Sequence, residues 1–127
     1  MTNENIIKIL KETLSSARLK NYAGYSKFDA LNSPFIRFIS FNNSWLRFAW
    51  TQFIKISPIN FRPFFRVKTS RNPKGIALFT RSYLFLYEKT NNTEYFKEAE
   101  TLLNWLIENK SANQKYFSWG YNYAWQN

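Results

Sequence analysis

The 127-residue sequence contains neither cysteine nor histidine. The chain therefore has no thiol nucleophile, no disulfide framework, no histidine general base, and no zinc site built from these two residue types. We accordingly predict neither a bound metal nor a cofactor.

Acidic residues are absent from the middle of the chain, between Asp29 and Glu88. The same stretch holds nine lysines and arginines, and it carries nearly all of the net charge of +10. A segment with charge of one sign is typical of an anion-binding face. The alternative is that lysine-rich and asparagine-rich codon usage supplies ordinary solvated charges. The sequence leaves both interpretations open.

A long apolar run is also missing. A membrane-spanning helix needs roughly 20 apolar residues, and the apolar middle is interrupted by Arg47, Gln52, Lys55 and Arg62. The first fourteen residues are polar and amphipathic, unlike a secretory signal. We therefore predict a soluble, cytoplasmic protein without a membrane span. Its length is suited to a single domain, residues 1–127.

Four segments show the periodicity of amphipathic helices, which predicts an all-α fold. The predicted helices cover about residues 4–20, 43–56, 73–89 and 93–109. The predicted N-caps are Asn43 or Ser44, Asn72 and Thr93. The last two helices are joined by so few residues that they must fold back on each other as an αα-hairpin. Residues 21–34 are predicted to form an ordered loop.

The second predicted helix is the most apolar. Its expected buried face consists of Trp45, Phe48, Ala49, Phe53 and Ile56, widened by Leu46, Trp50 and Ile54. Arg47, Thr51 and Lys55 follow one another at a spacing of four on the remaining polar stripe. Because a buried cation is costly without a partner, this stripe requires a distant acidic group, a bound anion or water.

The last predicted helix has a simpler pattern. Its expected core face consists of Phe96, Ala99, Leu103, Leu106 and Ile107, and Glu98 is expected to face water. After it, residues 116–125 hold six aromatic side chains around a glycine. Such a tail indicates a binding surface, an oligomer contact, or a chain that stops before its packing partners.

Two features of the loops suggest a site. Prolines make residues 57–63 a stiff connector, which can hold Asn60 and Arg62 in fixed directions. Asp29 is the only aspartate of the protein and lies in the predicted loop. It is either a turn or capping residue or a ligand contact.

Four ordered motifs resemble the N-terminal part of a bacterial family associated with surface-polysaccharide biosynthesis. The motifs are YSKFDALNS (25–33), QFIKISPINFRP (52–63), NPKGIAL (72–78) and WGYNYAWQ (119–126). The family resembles the six-hairpin (α/α) toroids, an architecture of many glycosidases, lyases and sugar epimerases. The chain departs from the family pattern at Ser26 and Ala124, where an acidic residue is usual, and at Ala30, where glycine is usual.

The resemblance implies a truncated (α/α) toroid that lacks its closing hairpins. It also implies a set of substrate-binding residues in the loops at one mouth of the toroid. That set is Tyr25, Asp29, Asn32, Ser33, Gln52, Lys55, Asn60, Arg62, Trp119, Tyr121, Asn122 and Trp125.

Together with the cationic middle, the resemblance favours a carbohydrate-active or carbohydrate-binding protein that acts on an acidic or phosphorylated glycan. A complete pair of catalytic carboxylates is not visible, so enzymatic activity of this chain is not expected. The expected partners are an acidic glycan or sugar phosphate and either the missing hairpins or a second copy of the chain.

Two alternatives come from the charge. A basic nucleic-acid-binding protein would combine the cations with the interleaved aromatics, but no recognition-helix, zinc or ribonucleoprotein motif is present. A membrane-surface protein would use the second helix and its tryptophans, but burial of that wide apolar face is the simpler expectation.

Overall fold

The structure is a computed structural model that describes residues 3–112 and 115–120. Over these residues it contains five α-helices, one 3₁₀-helix and two paired strands of two residues each, which confirms the all-α class. The helices are α1 (Asn3–Leu19), α2 (Pro34–Ile39), α3 (Ser44–Ile56), α4 (Pro73–Thr90) and α5 (Thr93–Glu108). The strands are β1 (Ala23–Gly24) and β2 (Ser70–Arg71), and the 3₁₀-helix covers Asp29–Asn32.

The four predicted helices correspond to α1, α3, α4 and α5, and their bounds agree with the prediction to within one residue. Asparagine side chains fix three of the N-termini. Asn43 and Asn72 cap α3 and α4 as predicted, each by accepting hydrogen bonds from backbone N–H groups of the first turn. The predicted cap of α5 is wrong by one residue, because Asn92 rather than Thr93 accepts from the first turn.

Helix α2 has no counterpart in the prediction. Ser33 caps it by accepting from the Ile36 N–H at 3.1 Å, and Pro34 occupies its first turn. With six residues the helix is too short to show a helical period. The composition of its N-terminal flank is that of a loop, and the 3₁₀-helix lies inside that flank.

Length predicts one domain, and the chain is organised as two compact units. The first contains Met1–Ala23 and Arg71–Gly120, with helices α1, α4 and α5. Helices α4 and α5 pack as the predicted αα-hairpin, and Asn91 ends α4 in the left-handed region with φ 53° and ψ 20°. The core consists of Leu14, Tyr22, Ile76, Tyr83, Leu86, Ala99, Leu102 and Leu106.

The buried face of α5 differs in part from the prediction. Ala99 and Leu106 are buried as expected, but the predicted core residues Phe96, Leu103 and Ile107 are exposed. Glu98 does not face water. Its carboxylate accepts a hydrogen bond of 2.7 Å from the Tyr22 hydroxyl and pairs with Arg18 at 3.1 Å. The buried stripe is therefore rotated toward Glu98, because a buried phenol needs an acceptor that no aliphatic side chain supplies.

A chain of buried hydroxyls lies in the core of this unit. The Tyr22 and Tyr83 oxygens are 2.8 Å apart. Since the single Tyr22 proton is donated to Glu98, Tyr83 donates to Tyr22. Burial raises the pKa of both phenols, and the hydrogen bond to Glu98 raises the pKa of Tyr22 further.

The second unit contains Gly24–Ser70 among the described residues. Its 3₁₀-helix, α2 and α3 pack on one another around a small core. The core residues are Ala30, Ile36, Ile54, Phe65 and Val67, with Ile39, Trp50 and Phe61 packed against them.

The buried side of α3 in this unit differs from the prediction, although Ile54, at the margin of the predicted face, is buried as expected. Trp45, Phe48, Phe53 and Ile56, which were expected to be buried, are 80%, 48%, 49% and 76% exposed. Thr51, assigned to the polar stripe, is buried, and its hydroxyl donates to the Arg47 carbonyl at 2.8 Å. The hydrophobic pattern therefore selected the wrong side of the helix. The short α2 and the 3₁₀-helix accommodate Thr51 and Ile54, whereas a row of Trp and Phe rings would need a larger partner surface.

Candidate functional site

The loop that opens the second unit is held by an ion pair. The Arg62 Nε donates to Asp29 Oδ1 at 3.3 Å, and Asp29 Oδ2 accepts from the Ser26 N–H at 2.8 Å. The Arg62 guanidinium also lies over the Tyr25 ring at 5.5 Å and makes a long contact of 3.5 Å with the Ser26 carbonyl. Three predicted site residues, Tyr25, Asp29 and Arg62, are thus brought together.

Asp29 is 6% exposed, and both of its carboxylate oxygens are engaged within the unit. These contacts correspond to the structural alternative that the sequence left open. Asp29 is also the only acidic residue of the second unit, because residues 24–70 and 121–127 contain no other. Glycoside hydrolysis by the usual mechanism needs two carboxylates. The second unit does not supply such a pair.

Ser33 and Asn60, two further predicted site residues, support the backbone. The Ser33 hydroxyl donates to the Phe65 carbonyl at 2.5 Å while it caps α2. Asn60 Oδ1 accepts from the Arg62 N–H at 3.2 Å and so fixes the turn before Arg62. The prediction that a stiff connector orients Arg62 is consistent with this contact, but the orientation serves the ion pair.

The α3 residues of the predicted set, Gln52 and Lys55, are less buried than the core residues Thr51 and Ile54. Lys55 is exposed, and its ammonium group lies 5.2 Å from the centre of the Phe28 ring. This cation–π contact, rather than an acidic group, is the neighbour that the structure shows for Lys55. Gln52 is half-buried.

A cleft of about 550 Å³ opens beside α2. Its lining consists of Asn32, Pro34, Arg37, Phe38, Phe41 and Asn42. The volume lies within the range of small-molecule sites. Asn32 is the one lining residue that belongs to the predicted set. Phe38 and Phe41 are 78% and 88% exposed, so their ring faces are accessible.

Two consecutive lining residues of the cleft have unusual backbone conformations. Phe41 and Asn42 both have left-handed conformations, with φ of 49° and 58°. Asparagine tolerates this region, but for phenylalanine it costs roughly 1–2 kcal/mol. Strain of this kind is concentrated at functional sites.

Five of the six lining residues are absent from the predicted set, although the sequence carries a signal for two of them. Arg37 is one of the cations of the acid-free middle, and Asn42-Asn43 is a turn-forming pair. Neither signal locates the other lining residues, because α2 itself was not predicted.

Trp119 belongs to the first unit. Its indole N–H donates to the Leu106 carbonyl at 2.7 Å, close to the C-terminus of α5. Tyr116 and Phe117, from the same aromatic tail, are 75% and 64% exposed. The remaining predicted site residues, Tyr121, Asn122 and Trp125, lie outside the described residues.

Comparisons of the chain with protein-family models, with curated proteins and with solved structures found no significant match. Across residues 3–112 and 115–120, none of the helices has the length and apolar character needed to cross a membrane. The same residues contain no cluster of three or more acidic, cysteine or histidine side chains that could hold a metal ion.

Proposed function

We propose that this chain binds an acidic or phosphate-bearing glycan, and that the cleft beside α2 is its binding site. The observation that carries the proposal is the composition of the cleft lining. A guanidinium group, two carboxamides and two exposed phenyl rings line one cleft of about 550 Å³. No carboxylate lines it.

Each group has a role in this proposal. Arg37 pairs with a carboxylate or phosphate of the glycan, since a guanidinium binds such groups through two parallel hydrogen bonds. The Asn32 and Asn42 side chains donate to and accept from sugar hydroxyls. Phe38 and Phe41 provide apolar faces on which a sugar ring can lie.

The charge of the second unit supports an anionic ligand. Residues 24–70 contain seven lysines and arginines, and the single opposing charge, Asp29, is paired with Arg62. An anion that enters the cleft therefore meets a unit of net positive charge whose one carboxylate is already paired.

We extend the proposal to architecture, as the resemblance implies. The α4–α5 hairpin represents one of the helical hairpins of an (α/α) toroid, and the chain is a binding rather than a catalytic form. The absence of a second carboxylate in the second unit supports this reading.

Calorimetric titration of the full chain with oligosaccharides that contain uronic acid tests the proposal, with a neutral oligosaccharide of equal length as the ligand control. Arg37→Ala should weaken binding of the acidic glycan by roughly 10- to 100-fold, because a charge-assisted hydrogen bond is lost. Phe38→Ala should weaken the binding of both glycans. Arg81→Ala, which removes an exposed arginine of the first unit, is the matched control and should have no effect.

Absence of binding to all acidic glycans, or equal effects of Arg37→Ala and Arg81→Ala, would contradict the proposal. A salt titration separates the nucleic-acid alternative. Contacts with many phosphates predict a steep fall in affinity with salt concentration, whereas a single glycan charge predicts a shallow one.

A further inference from the structure

Helix α3 exposes an aromatic surface, here called the outer face, which consists of Trp45, Phe48, Ala49, Gln52, Phe53 and Ile56. These residues recur at spacings of three and four, so they share one side of the helix. Trp45 and Ile56 are 80% and 76% exposed, and Phe48 and Phe53 are each about half exposed. Monomeric proteins rarely expose an apolar surface of this kind without a function.

The outer face cannot be hidden by a rotation of the helix. Ile54 and Thr51, on the opposite side, are each 1% exposed and belong to the packed interior. Turning Trp45 inward would turn Ile54 out and leave the Thr51 side chain without its place in the core. The packing of Ile54 and Thr51 in the core therefore keeps the outer face exposed.

The unit that presents this surface also carries exposed cations. Lys55 lies on α3 itself and is exposed. Arg66 and Lys68, in the segment that follows the connector, are exposed as well. Asp29, the only acidic residue of the unit, is neutralised by Arg62. The unit that presents the outer face therefore has a net positive charge.

We propose that the outer face of α3 docks on an anionic lipid bilayer, with Trp45 and Ile56 inserted at the boundary between headgroups and acyl chains. Tryptophan prefers this boundary because its ring is apolar and its N–H remains available to water or headgroups. The cations supply the attraction to anionic lipid. The inference is independent of the glycan cleft.

Charge argues for this occupant over a second copy of the chain. Two copies joined through their outer faces would bring two positively charged units together. The one acidic residue of each unit, Asp29, is already paired with Arg62 and so cannot offset this repulsion. An anionic bilayer instead complements the apolar rings and the cations at once. At 13 residues, α3 is about 20 Å long, which suits a helix lying in the membrane plane rather than crossing it.

The experiment is flotation of the full chain with two kinds of vesicle at about 0.1 M salt. One kind contains phosphatidylcholine alone, and the other contains phosphatidylcholine with about 30% phosphatidylserine. We expect binding to the anionic vesicles only. Trp45→Ala combined with Ile56→Ala should reduce the bound fraction by about tenfold, because most of the inserting apolar area is removed. Lys55→Gln should reduce affinity for anionic vesicles by roughly fivefold.

The matched control replaces Leu78 and Ile107 by alanine. These two apolar side chains of the first unit are 54% and 55% exposed, and their removal should leave vesicle binding unchanged. All four target positions are exposed, so far-ultraviolet circular dichroism should show folded proteins. Absence of binding to anionic vesicles, or equal losses in the two double variants, would overturn the proposal. A dimer in sedimentation analysis that the Trp45 and Ile56 substitutions dissociate would overturn it in favour of a second copy.

Discussion

Arg62 and Asp29 are separated by 33 positions in the chain, yet the Arg62 Nε lies 3.3 Å from Asp29 Oδ1. Their side chains are 18% and 7% exposed. The pair ties the loop before the 3₁₀-helix to the connector after α3. Because both groups are largely withdrawn from water, each depends on the other for its stability.

Asp29→Ala should destabilise the chain by about 2–4 kcal/mol, because it leaves the Arg62 guanidinium without its carboxylate and removes the acceptor of the Ser26 N–H. Urea unfolding followed by circular dichroism measures the loss. Lys68→Ala, which removes an exposed cation of the same unit, should change stability by less than about 0.5 kcal/mol.

A double-mutant cycle tests the pairing directly. The double variant Asp29→Ala, Arg62→Ala should be more stable than the sum of the single losses predicts, by about 1–3 kcal/mol. Strict additivity of the two losses would show that the pair contributes no interaction energy.

The buried phenols of the first unit predict a loss of stability in alkali. Tyr22 and Tyr83 have raised pKa values in the folded state, so above the ordinary tyrosine pKa of 10.0 the unfolded chain releases protons that the folded chain retains. Their contribution is complete below about pH 10 and falls above it, by up to about 1.4 kcal/mol per pH unit for each phenol.

Urea unfolding at a series of pH values from about 8 to about 11.5, on either side of the ordinary tyrosine pKa of 10.0, measures this slope. Tyr22→Phe should make it shallower. Tyr116→Phe, which changes an exposed phenol, is the matched control and should leave the slope unchanged. Equal slopes for all three proteins would contradict a protected Tyr22.

Ser33 has two functions and should be more sensitive than an ordinary cap. Ser33→Ala removes the N-cap of α2 and the hydrogen bond to the buried Phe65 carbonyl, and we expect a cost of about 2–3 kcal/mol. Asn43→Ala removes only the exposed cap of α3 and should cost about 1 kcal/mol. Urea unfolding of both variants checks the difference, and equal costs would show that the Phe65 contact is not stabilising.

The sequence predicted the parts of the fold that depend on local signals. Asparagine caps, the Asn91-Asn92 break and clear periodicity located four helices to within a residue. The cleft was not predictable in this way, because α2 is shorter than two helical turns and the rings of Phe38 and Phe41 are positioned by tertiary structure and by left-handed backbone. The pairing of Asp29 with Arg62 likewise depends on how the loop and connector meet in space.

The predicted orientation of α3 was wrong for another reason. Its most apolar side is exposed and the side that carries Thr51 is buried, so the hydrophobic pattern identifies the helix but not the side that is buried. The deciding quantity is the shape of the small partner surface made by α2 and the 3₁₀-helix. That surface exists only after the unit has folded.

Two isoleucines of α3 therefore provide a direct test of the helix orientation. Ile54 is 1% exposed and Ile56 is 76% exposed, although they carry the same side chain and are two residues apart. Ile54→Ala should cost about 2–4 kcal/mol, because it leaves a cavity in the core beside Phe65 and Val67. Ile56→Ala should cost less than about 0.5 kcal/mol, because no packing is lost. The face predicted from sequence includes Ile56 at its centre and Ile54 at its margin, so a larger loss for Ile56→Ala would favour that face and, with it, a buried Trp45.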